Sequence, residues 1–269
     1  MPSKYNEQTL DTHLHNATVW DHQALLQQDW SRPVSSEQVA AAKQGLWDIH
    51  ITKKPLPETW LPKNIRNKDI LCLASAGGQQ APILAAAGAR VTVFDISEQQ
   101  LEQDKLVATR DNLALKTVQG DMSDLSIFQD SSFDYIIHPI SNLYVSDLRP
   151  VWSECYRVLR TQGLLLASFY NPVLFVFARD KALEAKGLLK PQYQLPYADI
   201  RELSPQLIEE KMKQHEALIF GHTLSNQING QIEAGFLIAG FYEDEHPSPR
   251  FLIEKFMKTM IATRAVKLT

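Results

Sequence analysis

The sequence predicts an α/β fold, a doubly wound and mostly parallel sheet of seven strands, on three observations. Apolar runs of strand length alternate with helical patterns from Asp69 to Phe169, the order that covers a parallel sheet with helices on both faces. The first of these units, DILCLASAGGQQAPILAAAGARVTVFD, reads as strand, small-residue loop, helix, glycine stop, strand and terminal aspartate. That is a β-α-β nucleotide-binding unit. Two later apolar runs, Gly235 to Tyr242 and Met257 to Leu268, complete the count.

Residues 1–66 precede the first strand and read as a mostly helical N-terminal cap. Ser35 with Gln38 forms a capping box ahead of Val39, Ala40 and Ala41. Pro55, Pro57 and Pro62 punctuate the approach to the sheet. Residues 67–269 form the main domain. Its first five strands are Ile70 to Leu73, Val91 to Phe94, Leu115 to Val118, Phe133 to His138 and Gly163 to Phe169. A helix from Gly78 to Ala87 stops at Gly88. The next is capped by Ser97, with Gln100 in third place after it. A third lies near Asp147 to Leu159. Residues 171–222 break the alternation: QYQLPYADI reads as extended and Ser204 to His215 as a charged helix. A connection this long reads as an inserted lid beside the site. A helix from Thr223 to Ala234 leads back into the sheet.

Composition narrows the function classes. The chain has 269 residues, 44% of them hydrophobic and 22% charged, with a formal net charge of -4. That is enough apolar material for a sizeable core and no basic footprint for nucleic acid. The polar start carries no signal core, and no segment is apolar for long enough to span a bilayer. A cytoplasmic protein with no membrane partner is expected. The two cysteines, Cys72 and Cys155, sit in apolar patterns and read as reduced core residues. No zinc spacing and no Ser-His-Asp arrangement is present, so no metal is expected.

The chemistry gathers at strand ends. The loop Ala74-Ser75-Ala76-Gly77-Gly78 after the first strand is small enough for a ligand to approach the backbone, and the following helix aims its N-terminal amides there. It lacks the G-x-G-x-x-G spacing of a dinucleotide fingerprint. Asp95 ends the second strand, where an ionised carboxylate accepts both hydroxyls of a ribose diol. The third strand ends in Gly120-Asp121-Met122, where Asp121 can accept from an adenine amino group and Met122 can pack on the ring.

This pattern resembles the class I S-adenosylmethionine-dependent methyltransferases. The resemblance rests on ILCLASAGGQ, VTVFD, GDM, FDYIIHPISN and YRVLRTQGLLLASF, in that order and spacing, and resumes at Gly235-Phe236 and FMKTMIATRAVK. It implies a Rossmann-like methyltransferase fold, S-adenosylmethionine as cofactor and S-adenosylhomocysteine as product. The cofactor would be held by Ala74, Ser75, Ala76, Gly77, Gly78, Gln79, Asp95, Ile96, Gly120, Asp121, Met122 and His138. The first motif departs from the family, with Cys72 in place of the usual acid and Ala74 and Ala76 in place of two glycines. The resemblance also places the methyl group beyond the fourth strand, at His138-Pro139-Ile140-Ser141-Asn142-Leu143-Tyr144. His138 is the candidate base, its ordinary pKa lying near neutrality, and Asn142 and Tyr144 are candidate acceptor contacts. Trp20, with Trp30 and Trp47, is a candidate roof over the acceptor. His222 and Gln227 are candidate lid donors. Lys53 or Lys54 is a candidate partner for the cofactor carboxylate.

The expected activity is in-line methyl transfer to a small-molecule acceptor by a monomer or homodimer. Three other readings compete. A methyltransferase of RNA or protein fits the mild acidity and the roofed site poorly. A regulatory protein that binds the cofactor without turnover is compatible with the altered first motif. An NAD-dependent oxidoreductase would need the missing glycine spacing.

Overall fold

The computed structural model describes residues 11–26 and 31–269; Trp30 lies outside them. Two helices, α1 (Thr12–Leu25) and α2 (Ser36–Lys43), precede the sheet. The alternation then runs β1 (Asp69–Leu73), α3 (Gln80–Ala86), β2 (Arg90–Asp95), α4 (Glu98–Asp111), β3 (Leu115–Gln119), β4 (Phe133–His138), α5 (Arg149–Val158) and β5 (Leu159–Tyr170). An insertion carries α6 (Lys181–Glu184), β6 (Tyr197–Ala198), α7 (Asp199–Glu202), α8 (Pro205–Lys213) and β7 (Phe220–Gly221). The chain closes with α9 (Gly230–Glu233), β8 (Phe236–Asp244) and β9 (Met260–Lys267).

The main sheet has seven strands in the order β3-β2-β1-β4-β5-β9-β8. The first five pair in parallel, and β9 runs antiparallel to both β5 and β8. The direction of winding reverses between β1 and β4, and there the loops at the carboxyl ends of the strands diverge and leave a crevice. Alternation of side chains along each strand separates two apolar layers. Ile70, Cys72, Val91, Val93 and Ile137 face one layer with Leu84 and Trp60. Leu71, Leu73, Phe94, Ile136 and Leu165 face the other with Trp152 and Cys155. Both cysteines are free and buried, and burial pushes both thiols up.

Local signals in the sequence act where they are read. Ser35 and Gln38 make the capping box of α2, Ser97 caps α4 by accepting from the Gln100 amide, and Gly88 follows α3 with φ +97°. Differences arise where tertiary contacts take over. α3 starts at Gln80 because Gly78 is left-handed at φ +71°. The stretch from Thr223 widens into a π-turn at Ser225–Asn229 before α9. Among the described residues of the cap expected to be mostly helical, α1 and α2 are the α-helices. Residues 46–66 are irregular, since their prolines remove amide donors, and they lay Ile49, Ile51, Trp60, Leu61 and Ile65 against the sheet as part of its core. The Ser168 hydroxyl on β5 donates to the Ile51 carbonyl. Of the extended QYQLPYADI, only Tyr197 and Ala198 pair, with Gly221 and Phe220. Among the described residues no helix is long and apolar enough to cross a membrane.

Candidate active site

A cleft of about 1160 Å³ opens at the carboxyl ends of β1, β2, β3 and β4. Its floor is built from Ala74, Ser75 and Ala76 after β1, Phe94, Asp95 and Ile96 at the end of β2, Gly120, Asp121 and Met122 after β3, and Pro139 and Ile140 after β4. Gln79 lines it at the start of α3.

The first loop keeps a glycine-like path without the glycines. Ala74 and Ala76 have φ +46° and +61°, ahead of Gly78, a conformation that costs an L-residue roughly 1–2 kcal/mol. Hydrogen bonds hold the loop in place. The Gly77 amide donates to Gln100 Oε1 at 2.7 Å, and the Gly78 amide to Asp104 Oδ1 at 2.9 Å. The Val34 amide donates to the Gly78 carbonyl at 2.8 Å. Gly77 and Gly78, expected to approach the ligand, therefore face α4 and do not line the cleft. Asp104 is fully buried, its Oδ2 has no hydrogen-bond partner among the described residues, and burial raises its pKa well above the usual range. The sequence marks Gln100 only as the third residue after the Ser97 cap and does not mark Asp104. Their signal is the four-residue spacing that puts both on the inner face of α4.

The two acids at the strand ends have opposite electrostatics. Asp95 is 8% exposed and accepts the Ser97 amide at 2.9 Å. Burial outweighs that bond and pushes its carboxyl up to about 6. At Asp121 burial also acts upward, but hydrogen bonds prevail and hold the carboxyl down at about 2. Those bonds come from His13, 2.7 Å from Oδ2, and from the Ser123 amide and hydroxyl at 2.8 and 2.9 Å on Oδ1. Gly120 is required beside them, since a Cβ there would lie 2.3 Å from the Phe94 ring.

The roof is α1. Trp20 meets Tyr144 edge to face, with ring centroids 5.1 Å apart, and both line the cleft with Ile140, Tyr170 and Met260. Trp47 and Lys53 line the cleft as well. Lys54 lies elsewhere, donating to the Glu243 carbonyl and sitting over the Tyr242 ring. The insertion read as a lid does not reach the cleft: no residue between 171 and 259 lines it. It supports α1 from outside, where Asn16 exchanges two hydrogen bonds with the Leu218 backbone at 2.9 and 3.0 Å.

His138, Asn142, His222 and Gln227 are drawn together, but beneath the cleft. His138 is 0% exposed, with Nδ1 3.0 Å from the Leu73 carbonyl and Nε2 2.7 Å from Asn142 Oδ1. The Asn142 amide donates to Gln227 Oε1 at 2.7 Å. His222 Nε2 lies 3.1 and 2.9 Å from the Asn142 and Val145 carbonyls. The expectation of a base at His138 and of acceptor contacts at Asn142, His222 and Gln227 is corrected accordingly. Their polar atoms satisfy one another and join the return from the insertion to the floor of the site. Burial lowers the His138 pKa. His138→Ala is expected to reduce the unfolding free energy by about 2 kcal/mol, the cost of stranding buried partners. Urea denaturation measures this. A lost limb in the pH–rate profile would return the base role to this ring.

Among the described residues no cluster of His, Cys, Asp or Glu could hold a metal ion. The methyltransferase domain family matches residues 71–167, the span from β1 to β5. The chain is 47% identical over 255 residues to a Bacillus subtilis protein named as an uncharacterized methyltransferase, covering 94% of this chain and 98% of that one. It is 30% identical over 141 residues to the demethylmenaquinone methyltransferase of Staphylococcus aureus, covering 51% of this chain and 56% of the relative. In fold it is similar to an S-adenosylmethionine-dependent methyltransferase from Mesorhizobium loti, with a TM-score of 0.57 at 18% identity over 78% of this chain and 94% of the other.

Proposed function

The chain belongs to the S-adenosylmethionine-dependent methyltransferases, and from that premise we propose that it methylates a small molecule enclosed between α1 and the end of β4. The observation that carries this reading is the cleft itself. Its volume, about 1160 Å³, exceeds the roughly 300–1,000 Å³ typical of a site for one drug-sized ligand. Its adenosyl end is marked by Asp95 and Asp121, and its other wall by Trp20, Ile140, Tyr144, Tyr170 and Met260.

The residues fit the cofactor. Asp95 would accept from the ribose hydroxyls, and Asp121 would accept from the adenine amino group on the lone pair that His13 and Ser123 leave. Ile96 and Met122 line the cleft beside these acids and would pack on the ring. The left-handed turn through Ala74 and Ala76 gives the methionine end its close approach to the backbone. When bound, the cofactor supplies a methyl group on a sulfonium, ready for in-line displacement. The protein aligns the acceptor and excludes water under α1. No His138 nitrogen reaches the cleft, so alignment rather than a base at this ring carries the rate. The aromatic and aliphatic acceptor wall suits an acceptor with an apolar face.

Calorimetric titration with S-adenosylmethionine, S-adenosylhomocysteine and NAD tests the site. Micromolar binding of the first two and none of NAD is expected. Labelled methyl from the cofactor, incubated with a cell extract, should then appear in the low-mass fraction. Label only in precipitable protein or RNA would reject the small-molecule acceptor. Absent adenosyl binding would favour an interaction role.

A further inference from the structure

The methyltransferase domain match begins at residue 71, so it leaves out α1. Yet α1 presents His13, Asn16 and Trp20 to the cleft, the three-and-four-residue spacing that puts side chains on one helix face. His13 reaches the acid read as the adenine acceptor: its Nδ1 lies 2.7 Å from Asp121 Oδ2. A carboxylate offers about four lone-pair sites. The Ser123 amide and hydroxyl take two on Oδ1, and His13 takes one on Oδ2. One acceptor direction on Oδ2 remains for a ligand. We propose that His13 is a positioning residue of the adenosyl site, which fixes the Asp121 carboxylate for adenine and fastens α1 over the bound cofactor. This rests on the reading of the cleft as the adenosyl site.

Two further ties hold the helix in register. Asn16 grips the Leu218 backbone, and Asp21 accepts from the Ser97 hydroxyl at 2.6 Å and the Gln99 amide at 3.1 Å. Among these ties, the one at His13 ends on a residue assigned to the cofactor. The charges that act on His13 are Asp121 across the cleft and Asp11 at the start of its own helix. Asp124 stands beyond Asp121, and His15 turns away to the Glu216 carbonyl. The hydrogen bond to Asp121 is the largest influence and raises the His13 pKa above its ordinary value. Asp121 stays ionised throughout the neutral range. The ion pair is therefore lost as pH rises through the His13 pKa.

The test is titration of wild type, His13→Ala and His13→Gln with S-adenosylhomocysteine between about pH 6.5 and 9. Wild-type affinity should fall as pH rises and His13 loses its proton. His13→Ala should bind roughly tenfold more weakly at pH 6.5 and show no such fall. His13→Gln keeps a neutral donor, so it should bind between His13→Ala and wild type at pH 6.5, close to wild type at pH 9, and remain pH-independent. If His13→Ala does not fold, His13→Gln decides alone. Unaltered affinity and an unaltered pH profile in the variants would overturn the proposal. Failure of wild type to bind would overturn the adenosyl reading, and this inference with it.

Discussion

Gly77→Ala is expected to abolish cofactor binding and to destabilise the fold by about 3 kcal/mol or more, at or beyond the upper end of ordinary overpacking. A Cβ at Gly77 would lie 2.1 Å from the Gln100 carbonyl oxygen and 2.8 Å from its carbon. Those atoms belong to the backbone of α4, which cannot rotate aside as a side chain would. Relief requires the loop and α4 to part. That breaks the bonds from the Gly77 amide to Gln100 and from the Gly78 amide to Asp104. The separation would leave the buried Asp104 with neither oxygen paired. Urea denaturation together with titration of S-adenosylhomocysteine measures both effects. A variant with wild-type stability would mean that the approach of loop and helix is looser than the structure has it.

Asp95→Asn is expected to weaken S-adenosylhomocysteine binding by about 100-fold or more without loss of fold. Two hydroxyls donating to a carboxylate are worth about 1.5–3 kcal/mol each, and an amide keeps only one acceptor oxygen. The stability sign is opposite to that of a paired surface acid. Burial raises the Asp95 pKa to about 6, so the folded state binds its proton more readily than the unfolded chain does. Ionised Asp95 therefore burdens the folded protein above pH 6, and that burden lifts as pH falls through 6 toward the unfolded value. The neutral Asn variant should melt no lower than wild type near pH 7.5. The ionised form is the one that accepts the diol, so wild-type affinity should also drop below about pH 6, by up to tenfold per pH unit. Calorimetry from pH 5 to 8 reads this limb. Affinity independent of pH, or unimpaired in the Asn variant, would remove Asp95 from the ribose.

Both experiments address residues that were legible before the fold was known, and the reason is local. Asp95 and Asp121 close apolar runs of strand length, and a parallel sheet puts all such ends on one edge. The small-residue loop, the Ser97 cap and the Gly88 stop are chosen by backbone conformation within a few residues. The departures at Ala74 and Ala76 were legible too. Their consequence was not, because only the path of the loop reveals that both alanines hold the left-handed conformation of the glycines they replace.

The polar residues around the site divide differently. His138, Asn142, His222 and Gln227 have the chemistry of ligand contacts, and sequence cannot tell a donor that faces a ligand from one that faces another side chain. Asn142 meets Gln227 across 85 residues and Asn16 meets the Leu218 backbone across 202. No periodicity carries information over such separations. His13 belongs to no spacing motif, and its importance comes from where α1 lies. The sequence by itself determined the sheet, its loops and the acids at the strand ends, since these follow from hydrophobic period and backbone preference. Only the tertiary structure decided that α1 rather than the insertion roofs the cleft, and which buried polar groups satisfy one another. Those outcomes depend on pairing between distant segments, where each polar group must find a partner once water is excluded.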